Sequence, residues 1–186
     1  MRQERHGALS RCARLVATGI RARASTGAGC RANRTVAIEQ PESDVMSNTP
    51  ESLFPIRQES AEAAFDFVFA PWIKDMGLTD ITVREGYCSM RLPNSDRLRF
   101  SAGAVCGQAL MAAIDTAAAM AVSTTDRIAK GTVYQHTHFL RPAKGGDFII
   151  AAEVKRFGKS SAYIDCAVTF ASSGELIAHG VLEFAF

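Results

Sequence analysis

The sequence predicts an α+β domain in which an antiparallel sheet of about six strands wraps around one long central helix. Three observations carry this prediction. Residues 101–122 (SAGAVCGQALMAAIDTAAAMAV) are alanine-rich, free of proline and interrupted by a single charge, Asp115. Two strand-like runs precede that stretch and four follow it, the later ones separated by short Gly-, Ser- and Asp-bearing links. A sheet must cover its apolar face, and residues 101–122 form the one apolar segment long enough to do so.

The helical stretch has room for about six turns at roughly 3.6 residues each. Alanine at nine of its positions makes a thin rod that a sheet can approach on more than one side. On a helical wheel Asp115 shares a stripe with Gln108, Met111, Ala119 and Val122. Cys106 and Gly107 fall in the opening turns, where backbone N–H groups lack intrahelical partners and suit a developing negative charge. A carboxylate among apolar neighbours loses hydration worth several kcal/mol, so it must be partnered, protonated or set beside a cavity. The plain alternative is a core helix whose Asp115 is satisfied by a buried hydrogen bond to Thr116 or to a neighbouring strand. A membrane span is disfavoured, because alanine is weakly hydrophobic and a mid-helix acid costs roughly 2.5–3.5 kcal/mol on insertion scales.

The 186 residues suffice for one domain with a proper core and a tail. The net charge of +2 is unevenly divided. Met1 to Ile38 holds eight arginines against one acid, Glu4, and carries +7, whereas Glu39 to Phe186 has 13 basic and 18 acidic residues and carries −5. A mildly acidic domain argues against nucleic acid as its main partner. The five cysteines, Cys12, Cys30, Cys88, Cys106 and Cys166, show no metal-ligand spacing and read as reduced thiols of a cytoplasmic-type compartment. Residues 1–50 read as a disordered or non-native extension ahead of a domain over 51–186, with Met46 as an alternative start. A mitochondrial transit peptide and an Arg-rich RNA-binding tail are the competing readings of those arginines.

Within the domain, residues 56–70 carry Phe65, Val68 and Phe69 at helical spacing and stop at Pro71. Trp72, Ile73 and Met76 continue as a short amphipathic turn. Residues 78–84 and 87–93 read as two strands joined at Glu85-Gly86. Four further strands are expected at 132–140, 148–157, 162–171 and 175–186, in a meander of antiparallel neighbours. In the third of these, Ile164, Cys166, Val168 and Phe170 alternate with Tyr163, Asp165, Ala167 and Thr169.

With these residues the layout resembles the hotdog fold, and in particular the PaaI-like acyl-CoA thioesterase family. The resemblance covers roughly residues 70–186. It is carried by CGQALMAAIDTA on the helix, THFLRPAKGGD at 137–147, the RFGKSSAY turn and the closing ELIAHGVLEF strand. The family opens its helix with His-Gly-Gly and places a catalytic acid nine residues after that His. Here the corresponding positions are Cys106, Gly107 and Gln108, with Asp115 as the acid. The resemblance implies an acyl-CoA substrate, a Gly107 N–H that polarises the thioester carbonyl, and an Asp115 that activates water or attacks the carbonyl. It implies no metal and no redox cofactor.

Gly107 and Asp115 lie eight residues apart, about 12 Å along a helix axis, too far to serve one carbonyl carbon. A shared site therefore requires a homodimer, alone or within a dimer-of-dimers tetramer, with antiparallel central helices. Gln108, Cys106 and Met111 are expected to line the substrate site, Cys106 as a small apolar wall rather than as a nucleophile. His138, with His136 two residues before it, is expected along the acyl or pantetheine channel. Arg156, Lys159 and Ser160 are placed to meet coenzyme A phosphates. A non-catalytic acyl-CoA-binding protein of the same fold is the alternative from another class, and a hydratase or dehydratase is disfavoured because the acid-bearing helix carries no His.

Overall fold

The structure, a computed structural model, describes residues 53–186. The extension expected over residues 1–50 lies outside them. The described chain begins with a single 3₁₀ turn at Gln58–Ser60, helix α1 at Ala61–Val68 and the one-turn α2 at Pro71–Lys74. Strands β1 (Thr79–Arg84) and β2 (Tyr87–Leu92) precede helix α3 (Gly107–Val122), and strands β3 (Gly131–Phe139), β4 (Phe148–Phe157), β5 (Ser161–Phe170) and β6 (Leu176–Ala185) follow it. Together the strands make one six-stranded antiparallel sheet with α3 packed on it.

α3 is shorter than the alanine composition suggested. Residues 101–106 form a turn, not helix: Phe100 N–H donates to Ala104 O, Gly103 N–H to Phe100 O, and Val105 bridges back to Arg99. Gly103 takes φ +80°, a left-handed conformation that closes the turn without a Cβ penalty. Cys106 then enters the helix as an extended N-cap residue (φ −69°, ψ 149°).

The sheet order is β1-β2-β4-β5-β6-β3. The hairpins β4-β5 and β5-β6 are those the turn residues predict, but β3 does not pair with β4 as the expected meander requires. It lies at the far edge beside β6, with His138 opposite His179 and Thr132 opposite Phe184. The reason is in the link. After Phe139 the chain is held to the β6 end, Leu140 N–H and Arg141 N–H donating to Ile177 O, and it then crosses to β4 past Ala143, whose carbonyl accepts from Val105 N–H.

The core lies between α3 and the inner sheet face. Ala113, Ile114, Ala117, Ala118, Ala121 and Val122 are fully buried there against Met90, Leu92, Phe148, Ile150 and Val168. Each large side chain so buried contributes about 1.5–3 kcal/mol. Val122, expected on the Asp115 stripe, belongs to this buried face. Phe65 of α1 is buried and packs against Phe69 at 5.3 Å between ring centroids, while Val68 of α1 and Trp72 of α2 face outward. Thr124, just beyond α3, donates to Ala121 O and accepts from Gly86 N–H at 2.7 Å, fastening the helix end to the β1-β2 turn.

The close fit of α3 to the sheet depends on Gly180 of β6. A Cβ there would lie 2.9 Å from Ile114 Cγ2, and Ile114 is itself fully buried. Gly180→Ala is therefore expected to destabilise the domain by about 1–3 kcal/mol through overpacking, read as a lower denaturation midpoint with an unchanged slope.

Candidate active site

The start of α3 opens onto a cleft of about 460 Å³ whose walls include Phe100, Val105, Gly107, Leu110, Phe139 and Leu140. The Cys106 side chain does not cap the helix, and the backbone N–H groups of Gly107 and Gln108 meet no acceptor among the described residues. These amides sit at the positive end of the helix dipole and suit a developing oxyanion. Phe139 of β3 lies across this point: a Cβ on residue 107 would come within 3.1 Å of its ring. Glycine leaves the amide open beside the aromatic wall, and a side chain there would have to displace the Phe139 ring by a few tenths of an ångström.

Asp115 lies in the middle of α3 beside the edge strand β3, and it is half-buried rather than sealed in the core. Its Oδ1 accepts a hydrogen bond from Thr132 Oγ1 at 2.6 Å. Thr116 instead donates to Ala112 O within its own helix. No Lys, Arg or His forms an ion pair with Asp115 among the described residues. One carboxylate oxygen is thus fixed by a hydroxyl and the other remains able to take a proton.

Thr132 was not among the residues singled out from sequence, and the reason is a β-bulge. The β3-β6 register shifts between Thr132 and Tyr134, so the alternation flips there. Thr132 before the bulge and Gln135, Thr137 and Phe139 after it all face the helix. Gln135 Nε2 donates to Met111 O at 3.1 Å and to Thr137 Oγ1 at 3.3 Å, tying the strand to the middle of α3.

The remaining candidates divide by location. Gln108 and Met111 share the open side of α3 with Asp115, and Cys106 is half-buried beside the Gly107 cleft. Its thiol is the accessible one of the three described. Cys88 and Cys166 are buried, and burial pushes the Cys88 thiol up to about 12 and that of Cys166 upward as well, so neither forms a thiolate near neutrality. His138 lies elsewhere than expected. It alternates with Thr137 and Phe139 and so faces away from α3, where its Nε2 lies 3.0 Å from that of His136. Arg156, Lys159 and Ser160 are exposed at the end of β4 and in the turn after it. That turn is held by Arg127, which donates to Gly158 O at 2.5 Å and Lys159 O at 2.6 Å while stacking on Phe186.

Gly107 and Asp115 do not share a cleft within one chain: Asp115 is absent from the walls of the Gly107 cavity. The eight intervening helical residues separate them by about 12 Å.

Residues 102–177 match the family model described as the thioesterase superfamily. No curated protein is similar enough to the chain to be matched. Among solved structures, a conserved protein of Pseudomonas aeruginosa shares 25% identity, with 63% of this chain and 94% of that one covered at a TM-score of 0.58. The Escherichia coli PaaI protein, from the phenylacetic acid degradation operon, shares 21% identity over 69% of this chain and 95% of its own, at a TM-score of 0.59. The zebrafish thioesterase superfamily member 2 shares 21% identity over 69% and 94%, at a TM-score of 0.61. The fold is the hotdog fold of these neighbours, and residues 102–177 are similar to the thioesterase superfamily. The likeness to the PaaI protein is one of fold. Among the described residues no helix is long and apolar enough to cross a membrane.

Proposed function

We propose that the domain hydrolyses acyl thioesters of coenzyme A. The observation that carries this reading is a half-exposed helical carboxylate, held at one oxygen by Thr132, on the same helix whose first amides open onto a cleft. The Gly107 N–H receives the negative charge that develops on the thioester oxygen. Asp115 serves as general base, taking a proton from water as the water oxygen bonds to the carbonyl carbon, or attacks that carbon itself. In the general-base route the C–S bond then breaks and coenzyme A leaves as its thiol, with the proton supplied through the protonated Asp115. In the attack route the C–S bond breaks to leave an acyl-aspartyl anhydride and a thiolate that takes a proton from water, and water then hydrolyses the anhydride to release the acid and restore Asp115. Water is the only co-substrate in this scheme.

The site is completed by a second copy of the chain. Its two halves lie about 12 Å apart on one helix, and the strand that holds both Thr132 and Phe139 is an open sheet edge. Val133, Tyr134, Phe139 and Leu140 along it are all about half exposed or more. A two-fold pairing with antiparallel central helices sets Gly107 of one protomer by Asp115 of its partner, in a homodimer or a dimer of dimers. Lys159, Ser160 and Arg156 of the partner protomer serve the coenzyme A phosphates, and the reduced thiols fit a cytoplasmic compartment. Non-catalytic acyl-CoA binding is the second reading, favoured by Cys106 and Gln108 where the family has His and Gly and by the Phe139 ring over Gly107.

Thiol release from a panel of short, medium, long and aryl acyl-CoAs separates the two. Steady turnover of any of them supports the hydrolase. Saturable binding without thiol release from the whole panel supports the binder and overturns it.

A further inference from the structure

A second cavity lies at the other end of α3. It measures about 550 Å³ and its walls include Phe54, Pro55, Val68, Ser123, Ile128 and Ala129. We infer that this cleft receives the far end of a fatty acyl chain of about ten carbons or more, whose thioester is held at Asp115, about 12 Å away along the helix. The inference rests on the proposed acyl-CoA reading and adds the substrate class to it.

Two features support this occupant. The first is continuity. Asp115, Ala119 and Ser123 are spaced by four residues and so share one helical stripe. They are the half-open positions of this part of α3, and every residue between them is buried. The methyl group of Ala119 leaves the track between Asp115 and the cleft shallow and apolar, and Ser123 at its end is part of the cleft wall.

The second is charge. The cleft adjoins the Gly158–Ser160 turn through Arg127, which invites comparison with a phosphate site. The Arg127 guanidinium is already committed to two carbonyl oxygens and the Phe186 ring, and the other charged side chain of the wall is the carboxylate of Asp126. Neither welcomes a nucleotide. Ile128, by contrast, is 86% exposed and Val68 46%, so apolar surface stands open for a hydrocarbon to cover. Each methylene that becomes buried there strengthens binding about fourfold.

The test uses the non-hydrolysable thioether analogues of lauroyl-CoA and butyryl-CoA, with affinities measured by calorimetry on the full chain, beside turnover of the matching thioesters. Wild-type protein is expected to bind the lauroyl analogue at least tenfold more tightly than the butyryl one. Ala129→Trp, which fills the cleft, and Val68→Asp, which makes its wall polar at an exposed helix position, are each expected to abolish that ratio. Equal affinities for the two analogues in wild-type protein overturn the inference, as does a ratio that survives in both folded variants. A chain-length preference in binding without turnover of either thioester sinks the hydrolase and leaves the cleft assignment standing. Turnover without any such preference does the reverse.

Discussion

Asp115→Asn is expected to lower kcat for acyl-CoA hydrolysis by about 10²–10⁴-fold, the contribution of a positioned acid-base group, with little change in KM. The substitution is nearly isosteric, and the Asn carbonyl oxygen can still accept the Thr132 hydroxyl bond that holds Asp115 at 2.6 Å. The basicity of the group is lost and little else. Because the side chain is half-exposed and no core contact depends on its charge, stability should stay within about 0.5 kcal/mol of wild type, as for other surface changes. A thermal melt alongside the kinetics separates the two effects. Thr132→Val removes one partner of the carboxylate but not the carboxylate, so its loss in kcat should be the smaller. If Asp115→Asn turns over at the wild-type rate, Asp115 is not the group that moves the proton.

Mixing two inactive variants should restore about a quarter of wild-type activity if each site is shared across a two-fold. Gly107→Pro is the suitable partner for Asp115→Asn. Residue 107 is the first of the helix, where proline is tolerated, and Cys106 before it already has the extended backbone that proline demands. The substitution deletes one N–H with little disturbance of the helix, the half-exposed Phe139 ring yielding to the new side chain. By itself it should cost about 10²–10³-fold in kcat, as for loss of one oxyanion donor. After random exchange of subunits, half of the dimers are mixed, and each mixed dimer has one intact site and one doubly altered site. A site contained in a single chain gains nothing from mixing. Subunit exchange followed by mass spectrometry of the intact dimers, beside the thiol-release rate, distinguishes these outcomes.

Much of this architecture is legible in local pattern. The β4 run 148–157 matches the observed strand end for end, and the turn residues at Gly158-Lys159-Ser160 and Ser172-Ser173-Gly174 mark true hairpins. What fails is what local pattern does not encode. Gly145-Gly146-Asp147 looks like another hairpin turn but lies in a crossover, because the partner of β3 is chosen by long-range pairing with β6. The first turn of the expected helix is lost at Gly103, within a composition that stays alanine-rich throughout. Among the candidate residues, the places of Gly107 at the start of α3 and Asp115 in its middle were readable because a charge and a glycine stand out against alanine. Thr132 was hidden by the bulge that reverses strand alternation, Phe139 by a contact that exists only in three dimensions, and the outward face of His138 by the same alternation.

The nine residues of β3 include no lysine, arginine, aspartate, glutamate or proline, the features by which natural sheets discourage unwanted strand addition at an open rim. A solitary protomer would thus offer a ready template for intermolecular β-stacking. In the proposed two-fold dimer, pairing with its twin would both complete the chemistry and keep the protein out of aggregates. Dilution or a weakened two-fold contact would turn a loss of catalysis into a solubility problem as well.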